Sequence, residues 1–173
     1  MVACMILILN PQLCVGCRIC ETTCSFVKYK MIQPSKARIK IVNKWHLGIS
    51  MPVVCLNCPD APCVEVCPTG SLSVENGVVV YNPETCKLCK ACIKACPFGA
   101  IRYDEELDTI LKCDLCGGKP ACAERCPSGA IRFGEPTFKE GVRVDYENYR
   151  KYFNMFEEIK DEDSAMKLPR IDL

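Results

Sequence analysis

The chain has 173 residues, a net charge of +1, and 17 cysteines. The balanced charge and the lack of an aromatic-basic platform give poor support to a nucleic-acid binder. No stretch is apolar for long enough to be a membrane helix, and the odd cysteine count without a visible secretory signal argues against a disulfide scaffold. Residues 2–9 are apolar but too short to span a bilayer, and they lack the basic region and cleavage site of a signal peptide. The expected location is cytoplasmic, where free thiols persist.

In chain order, residues 5–10 read as a first strand, and Cys4 reads as a small buried hydrophobe in that strand. Cys14, Cys17, Cys20 and Cys24 follow with the spacing C-x2-C-x2-C-x3-C. Residues 25–54 form the longest cysteine-free stretch between groups, with an alternating strand candidate at 37–43 and the pair Trp45-His46. No Asp or Glu occurs from Thr22 to Pro59, whereas Lys28, Lys30, Lys36, Arg38, Lys40 and Lys44 are all basic. Cys55, Cys58, Cys63 and Cys67 make the second group. Residues 72–74 and 78–81 then read as a hairpin around Asn76-Gly77, a pair suited to a tight primed turn.

Cys86, Cys89, Cys92 and Cys96 repeat the first spacing. Residues 100–103 and 109–112 read as a second hairpin, closed more loosely by 104–108. Cys113, Cys116, Cys122 and Cys126 form the last group, and 130–133 reads as a strand. CPTGSL, CPFGAI and CPSGAI are an internal repeat, with Pro after the last cysteine and Gly two residues later. Tyr146, Tyr149, Phe153, Phe156 and Ile159 recur at helical spacing, which predicts an amphipathic helix over 145–160 packed on its own subunit. The last dozen residues, with Asp161, Glu162 and Asp163, have little apolar content and read as a loose arm.

The C-x2-C-x2-C-x3-C run holds iron–sulfur clusters through thiolates, and the fourth cysteine of such a run can serve a second cluster. The three residues between the third and fourth cysteines suit one helical turn, which would point the last cysteine away from the other three. Groups two and four carry small insertions but keep the first pair and the final spacing. A zinc module is the alternative, since C-x2-C pairs also build tetrahedral sites. It offers no reason for the repeated run. Four groups imply four 4Fe-4S clusters.

CVGCRICETTCSF, without a proline, followed by three CP groups, resembles the four-cluster electron-transfer subunits of molybdenum and tungsten pterin oxidoreductases. With QPSKARIKIV after the first group, it is most similar to the small polyferredoxin subunits of tungsten-containing aldehyde ferredoxin oxidoreductases. The resemblance implies an α+β fold of two nested bacterial-ferredoxin-like modules, with short hairpins and short helices around the clusters. The outer module would take residues 1–50 and 112–140, the inner one 51–111, with a C-terminal helix and tail at 141–173. It also implies crosswise ligand sets: Cys14, Cys17, Cys20 with Cys126; Cys113, Cys116, Cys122 with Cys24; Cys55, Cys58, Cys63 with Cys96; and Cys86, Cys89, Cys92 with Cys67.

The single histidine and the lack of a nucleophile with a paired base or of a phosphate loop predict a non-catalytic subunit. The expected partners are a large tungsten- or molybdenum-pterin oxidoreductase subunit and a soluble carrier such as ferredoxin. Hydrogenases, formate dehydrogenases, carbon monoxide dehydrogenase and a free polyferredoxin are the alternatives. Lys87, Lys90 and Lys94 surround group three and predict a higher potential for its cluster than for that of group two, which has Asp60 and Glu65. Those lysines, with the basic linker, are also candidates for attracting an acidic carrier. His46 reads as an ordinary surface or packing residue.

Overall fold

The computed structural model describes residues 4–159, so the acidic arm at 161–163 and residue 160, the last one expected for the final helix, lie outside the described residues. Among the described residues the fold is α+β, with five two-stranded antiparallel ribbons and five α-helices. Strand β1 (Ile6–Leu9) pairs with β8 (Ile131–Gly134), so the start of the chain is sewn to the strand after the fourth cysteine group. Between them, β4 (Leu72–Glu75) pairs with β5 (Val78–Tyr81), and β6 (Arg102–Asp104) pairs with β7 (Thr109–Leu111). The first of these ribbons turns at Asn76 and Gly77, both at positive φ, as a primed turn requires. The second is closed by Asp104, whose carboxylate accepts from the Leu107 N–H.

The linker after group one holds a full hairpin, β2 (Ile39–Lys44) with β3 (Ile49–Val54), where one strand was expected. A short ribbon, β9 (Phe138–Lys139) with β10 (Val142–Arg143), leads into α5 (Val144–Glu158). In group one the expected single helical turn is instead the first of three, because α1 spans Ile19–Tyr29 and packs against α4 (Ala121–Glu124). In the middle of the chain, α2 (Pro62–Glu65) packs against α3 (Ala91–Ala95). Helices therefore pair crosswise, the first group's with the fourth's and the second's with the third's.

Two apolar cores result. The smaller lies wholly between Ala61 and Ile110 and includes Leu72, Val79 and Ile101. The larger gathers Leu7, Leu9, Ile39, Ile41, Met51 and Leu56 with the buried face of α5. Tyr146, Tyr149, Tyr152 and Phe156 are buried there, each fully buried ring contributing about 1.5–3 kcal/mol. Phe98 meets Tyr146, Tyr149 and Phe153 edge-on at 5.2–5.8 Å, and the Tyr149 hydroxyl donates to the Pro52 carbonyl at 2.7 Å. The apolar face of α5 is thus satisfied within the chain, as its periodicity predicts. Among the described residues, no helix is long and apolar enough to cross a membrane.

Candidate iron–sulfur sites

All four cysteine loops share one backbone habit. The residue just before the second cysteine is left-handed in each: Gly16 at φ +69°, Asn57 at +51°, Leu88 at +52° and Leu115 at +55°. For a residue with a side chain this costs roughly 1–2 kcal/mol. A left-handed residue among right-handed ones turns successive N–H groups to one side, the concave arrangement that receives anions, iron–sulfur clusters included. The repeat seen in the cysteine spacing is therefore also a repeat of conformation. Downstream, Gly70, Gly99 and Gly129 of the three CP repeats each sit at positive φ and donate their N–H to the carbonyl of Cys67, Cys96 and Cys126.

Helix α1 delivers two cysteines to different neighbours. Cys20 and Cys24 are one turn apart, about 6 Å along the axis. The Cys20 thiol is acted on by Cys14 and Cys17, and that of Cys14 by Cys126 and Cys17. Cys14, Cys17, Cys20 and Cys126 line one cavity. Cys24, by contrast, is acted on by Cys116, and Cys122 chiefly by Cys24 and Cys116 and more weakly by Cys20. Cys113 feels Cys55 most strongly among the thiols, and then Cys122.

The inner groups behave alike. Cys58 and Cys63 are both acted on by Cys55 and Cys96, while Cys92 is acted on by Cys86, Cys89 and Cys67. Cys67, Cys86, Cys89 and Cys92 line a second cavity. In each of the four neighbourhoods, three thiols of one group meet the last thiol of another. Two of these neighbourhoods ring a cavity, and among the described residues no three His, Cys, Asp or Glu side chains are arranged to hold a single metal ion.

Burial pushes the Cys20, Cys58 and Cys122 thiols up to about 12 and Cys63 to about 11, and it raises Cys113 further still. Such thiols give up their protons only when a cation takes their place. Cys67 goes the other way. Burial opposes its ionisation, but the backbone N–H groups of Leu72, Thr69 and Ser71, with the Thr69 hydroxyl, hold it at about 7. Cys24 accepts the Arg38 N–H and Cys96 the Ala100 N–H, both at 3.3 Å. An all-sulfur donor set around a space, with N–H groups aimed at sulfur, fits an iron–sulfur cluster.

Cys4 stands apart from all of these. It precedes β1 and is half-buried, a correction to the buried strand residue expected, because its sulfur fills the gap above Gly77 and borders a cavity of about 200 Å³. The basic linker is also less free than its sequence suggests. Lys28 and Arg38 both bind Asp114 at 2.6 Å, Lys36 binds Glu106 at 2.6 Å, and Lys44 donates to the Ile159 carbonyl at 2.6 Å. Lys30 and Lys40 remain exposed, as do Trp45 and His46. Lys87, Lys90 and Lys94 are exposed too, with Lys90 seated 3.5 Å over the Tyr103 ring.

Two buried cations escaped the sequence reading. Arg143 donates from Nη1 to the Asn57 carbonyl at 2.7 Å and from Nη2 to the Leu56 carbonyl at 2.8 Å, and so fixes the second cysteine loop. No local pattern announces it. Lys112 is 2% exposed, and its ammonium donates to the carbonyls of Val79 and Cys113. Its place directly before Cys113 was the one available signal.

A family model described as a 4Fe-4S dicluster domain matches residues 47–136, which contain groups two to four. The chain belongs to the 4Fe-4S dicluster domain family. It is 43% identical over 116 residues to the polyferredoxin-like subunit of an aliphatic sulfonate oxidoreductase from Pyrococcus furiosus, covering 66% of each chain. It is 38% identical over 96 residues to formate hydrogenlyase subunit 2 of Escherichia coli, covering 56% of this chain and 46% of that one. It is 30% identical over 115 residues to the formate dehydrogenase iron–sulfur subunit of Wolinella succinogenes, covering 62% and 58%. Among solved structures, one chain of the BamBC active-site complex of benzoyl coenzyme A reductase aligns with a TM-score of 0.49 and 22% identity, over 96% of this chain and 97% of that chain.

Proposed function

We propose that this chain is a non-catalytic electron-transfer subunit that holds four 4Fe-4S clusters between a larger oxidoreductase subunit and an external carrier. The ligands are the crosswise sets: Cys14, Cys17, Cys20, Cys126; Cys113, Cys116, Cys122, Cys24; Cys55, Cys58, Cys63, Cys96; and Cys86, Cys89, Cys92, Cys67. Bound there, such clusters carry single electrons at potentials set by charge, hydrogen bonds to sulfur and solvent exposure. The observation that carries the reading is the closing of two cavities by a cysteine from a distant group, Cys126 in one and Cys67 in the other. The crosswise packing of helices and the β1–β8 pairing support the nested division into 1–50 with 112–140 around 51–111.

The chain's own part is to align the four sets and to expose the outer two. Cys113 and Cys55 bring the middle sets together, and Cys17 and Cys89 are the two exposed ligands, one at each end. The ends differ in chemistry. Around Cys17 stand exposed Leu13, Val15, Ile19 and Trp45, an apolar rim suited to a lasting contact with the large subunit. Around Cys89 stand Lys87, Lys90 and Lys94, suited to brief encounters with an acidic carrier such as ferredoxin.

The likeness to the sulfonate oxidoreductase subunit supports a large partner of that kind. A tungstopterin aldehyde oxidoreductase is the class the sequence resemblance adds. Anaerobic purification of the tagged chain from its native cells, with metal analysis and assays of the complex on an aliphatic sulfonate and on an aldehyde, tests the proposal. A large subunit with tungsten or molybdenum and about sixteen further irons is expected. A brown, iron-rich chain recovered alone would make it a free carrier, and a colourless one holding zinc would overturn the reading.

A further inference from the structure

Lys112 is a buried cation placed where two cysteine sets meet. It follows β7, is 2% exposed, and forms no ion pair among the described residues. Its two acceptors are carbonyls on either side of a junction: Val79 lies in the inner β5 strand, and Cys113 opens the fourth cysteine group. Its charge also acts on the thiols of both Cys63 and Cys113, which belong to different sets. A buried ammonium without an anion is several kcal/mol less stable than in water. Two carbonyls satisfy its hydrogen bonds but do not neutralise it. Cys63 and Cys113, on which its charge acts, would become thiolates once they held a cluster.

We infer that Lys112 is the shared counter-ion of the two middle clusters, stabilising their reduced forms and raising their potentials above those of the outer pair. The inference rests on the crosswise ligand sets proposed above. The reduced form of a cluster bears one more negative charge than the oxidised form, so a fixed positive charge beside it favours reduction. This opposes the order that the exposed lysines of group three alone would give. Lys87, Lys90 and Lys94 are solvated and screened by salt, whereas a buried charge is screened far less. Lys112 is thus a positioning residue for potential rather than a ligand.

The test is a cluster-resolved redox titration, followed by electron paramagnetic resonance, of the intact chain and of its Lys112→Gln and Lys112→Arg variants, with iron counted in each. Gln keeps a donor for the carbonyls and removes the charge; Arg keeps the charge. The expected result is that Lys112→Gln shifts two of the four midpoint potentials to more negative values, leaves the other two in place, and that Lys112→Arg shifts none in that direction. Loading of four clusters in Lys112→Arg but not in Lys112→Gln also supports a counter-ion. Unchanged potentials in a fully loaded Lys112→Gln protein overturn the inference, as does equal failure of both variants to load, which would make Lys112 a strut. Fewer than four clusters in the unaltered chain would instead count against the ligand sets themselves.

Discussion

Arg143 binds Asp145 through Nε at 3.0 Å, and both side chains are almost wholly buried. The same guanidinium holds the carbonyls of Leu56 and Asn57, and Asp145 in turn accepts the Thr137 N–H at 3.1 Å. One residue at the end of the β9–β10 ribbon therefore ties the start of α5 to the second cysteine loop. Replacing Arg143 by Met leaves a buried carboxylate without its partner, a loss of about 3–5 kcal/mol. Denaturant unfolding should show that loss, and Cys58 and its neighbours should release iron first. Equal stability in the variant would mean that the pair is idle. Lys at this position keeps the charge but not the three-way fork, so it should restore only part of the stability.

Gly16 offers a local test. It lies at φ +69°, and a Cβ there would stand 2.5 Å from the Ser50 hydroxyl. The conformation strains a side chain there by roughly 1–2 kcal/mol, and the Ser50 hydroxyl would have to give way. Gly16→Ala should therefore lose about four of sixteen irons, those assigned to Cys14, Cys17, Cys20 and Cys126, while the other three spectroscopic signals persist. Full loading of the variant would show that the loop yields, and would detach the Ser50 contact from cluster binding.

The crosswise pairing predicts which signal each cysteine controls. Cys126→Ser should alter the same cluster as Cys14→Ser, and Cys24→Ser the same one as Cys116→Ser. Electron paramagnetic resonance of the reduced proteins separates these from sets confined to single groups, in which Cys126 would pair with Cys116. Cys4→Ser should leave iron content unchanged, since Cys4 faces Gly77 and belongs to none of the four neighbourhoods.

Charge reversal separates free lysines from bound ones. Lys87→Glu, Lys90→Glu and Lys94→Glu together should slow reduction or oxidation by an acidic ferredoxin at low salt and matter much less at high salt. Lys36→Gln should leave that rate alone, because its ammonium is spent on Glu106. The opposite pattern, a strong effect of Lys36 and none of the group-three lysines, would move the docking face to the linker.

The cysteine spacing carried most of the candidate sites, because ligand geometry restricts residue type and interval together. The hairpins at Asn76-Gly77 and 104–108 were legible for a similar reason, as turn residues announce themselves. Strand β3 was not. It is buried along nearly its whole length and contains Pro52, so it shows neither alternation nor an unbroken β-rich run. Pro52 is tolerated because β3 is half of a two-stranded ribbon. Helix α1 was read too short because Thr22, Thr23 and Ser25 are indifferent helix formers. Its packing against α4, a contact remote in sequence, extends it. The roles of Lys112 and Arg143 depend on carbonyls brought close only by the fold, and no local pattern encodes them.

The central claim is that sixteen of the seventeen cysteines hold four cubanes. Iron, acid-labile sulfide and zinc counted on the anaerobically purified chain, alongside its spin-quantified spectrum after reduction, test it most directly. The account predicts about sixteen irons and sixteen sulfides per chain, negligible zinc, and four interacting signals. About eight irons with two signals, or zinc in place of iron, would contradict it.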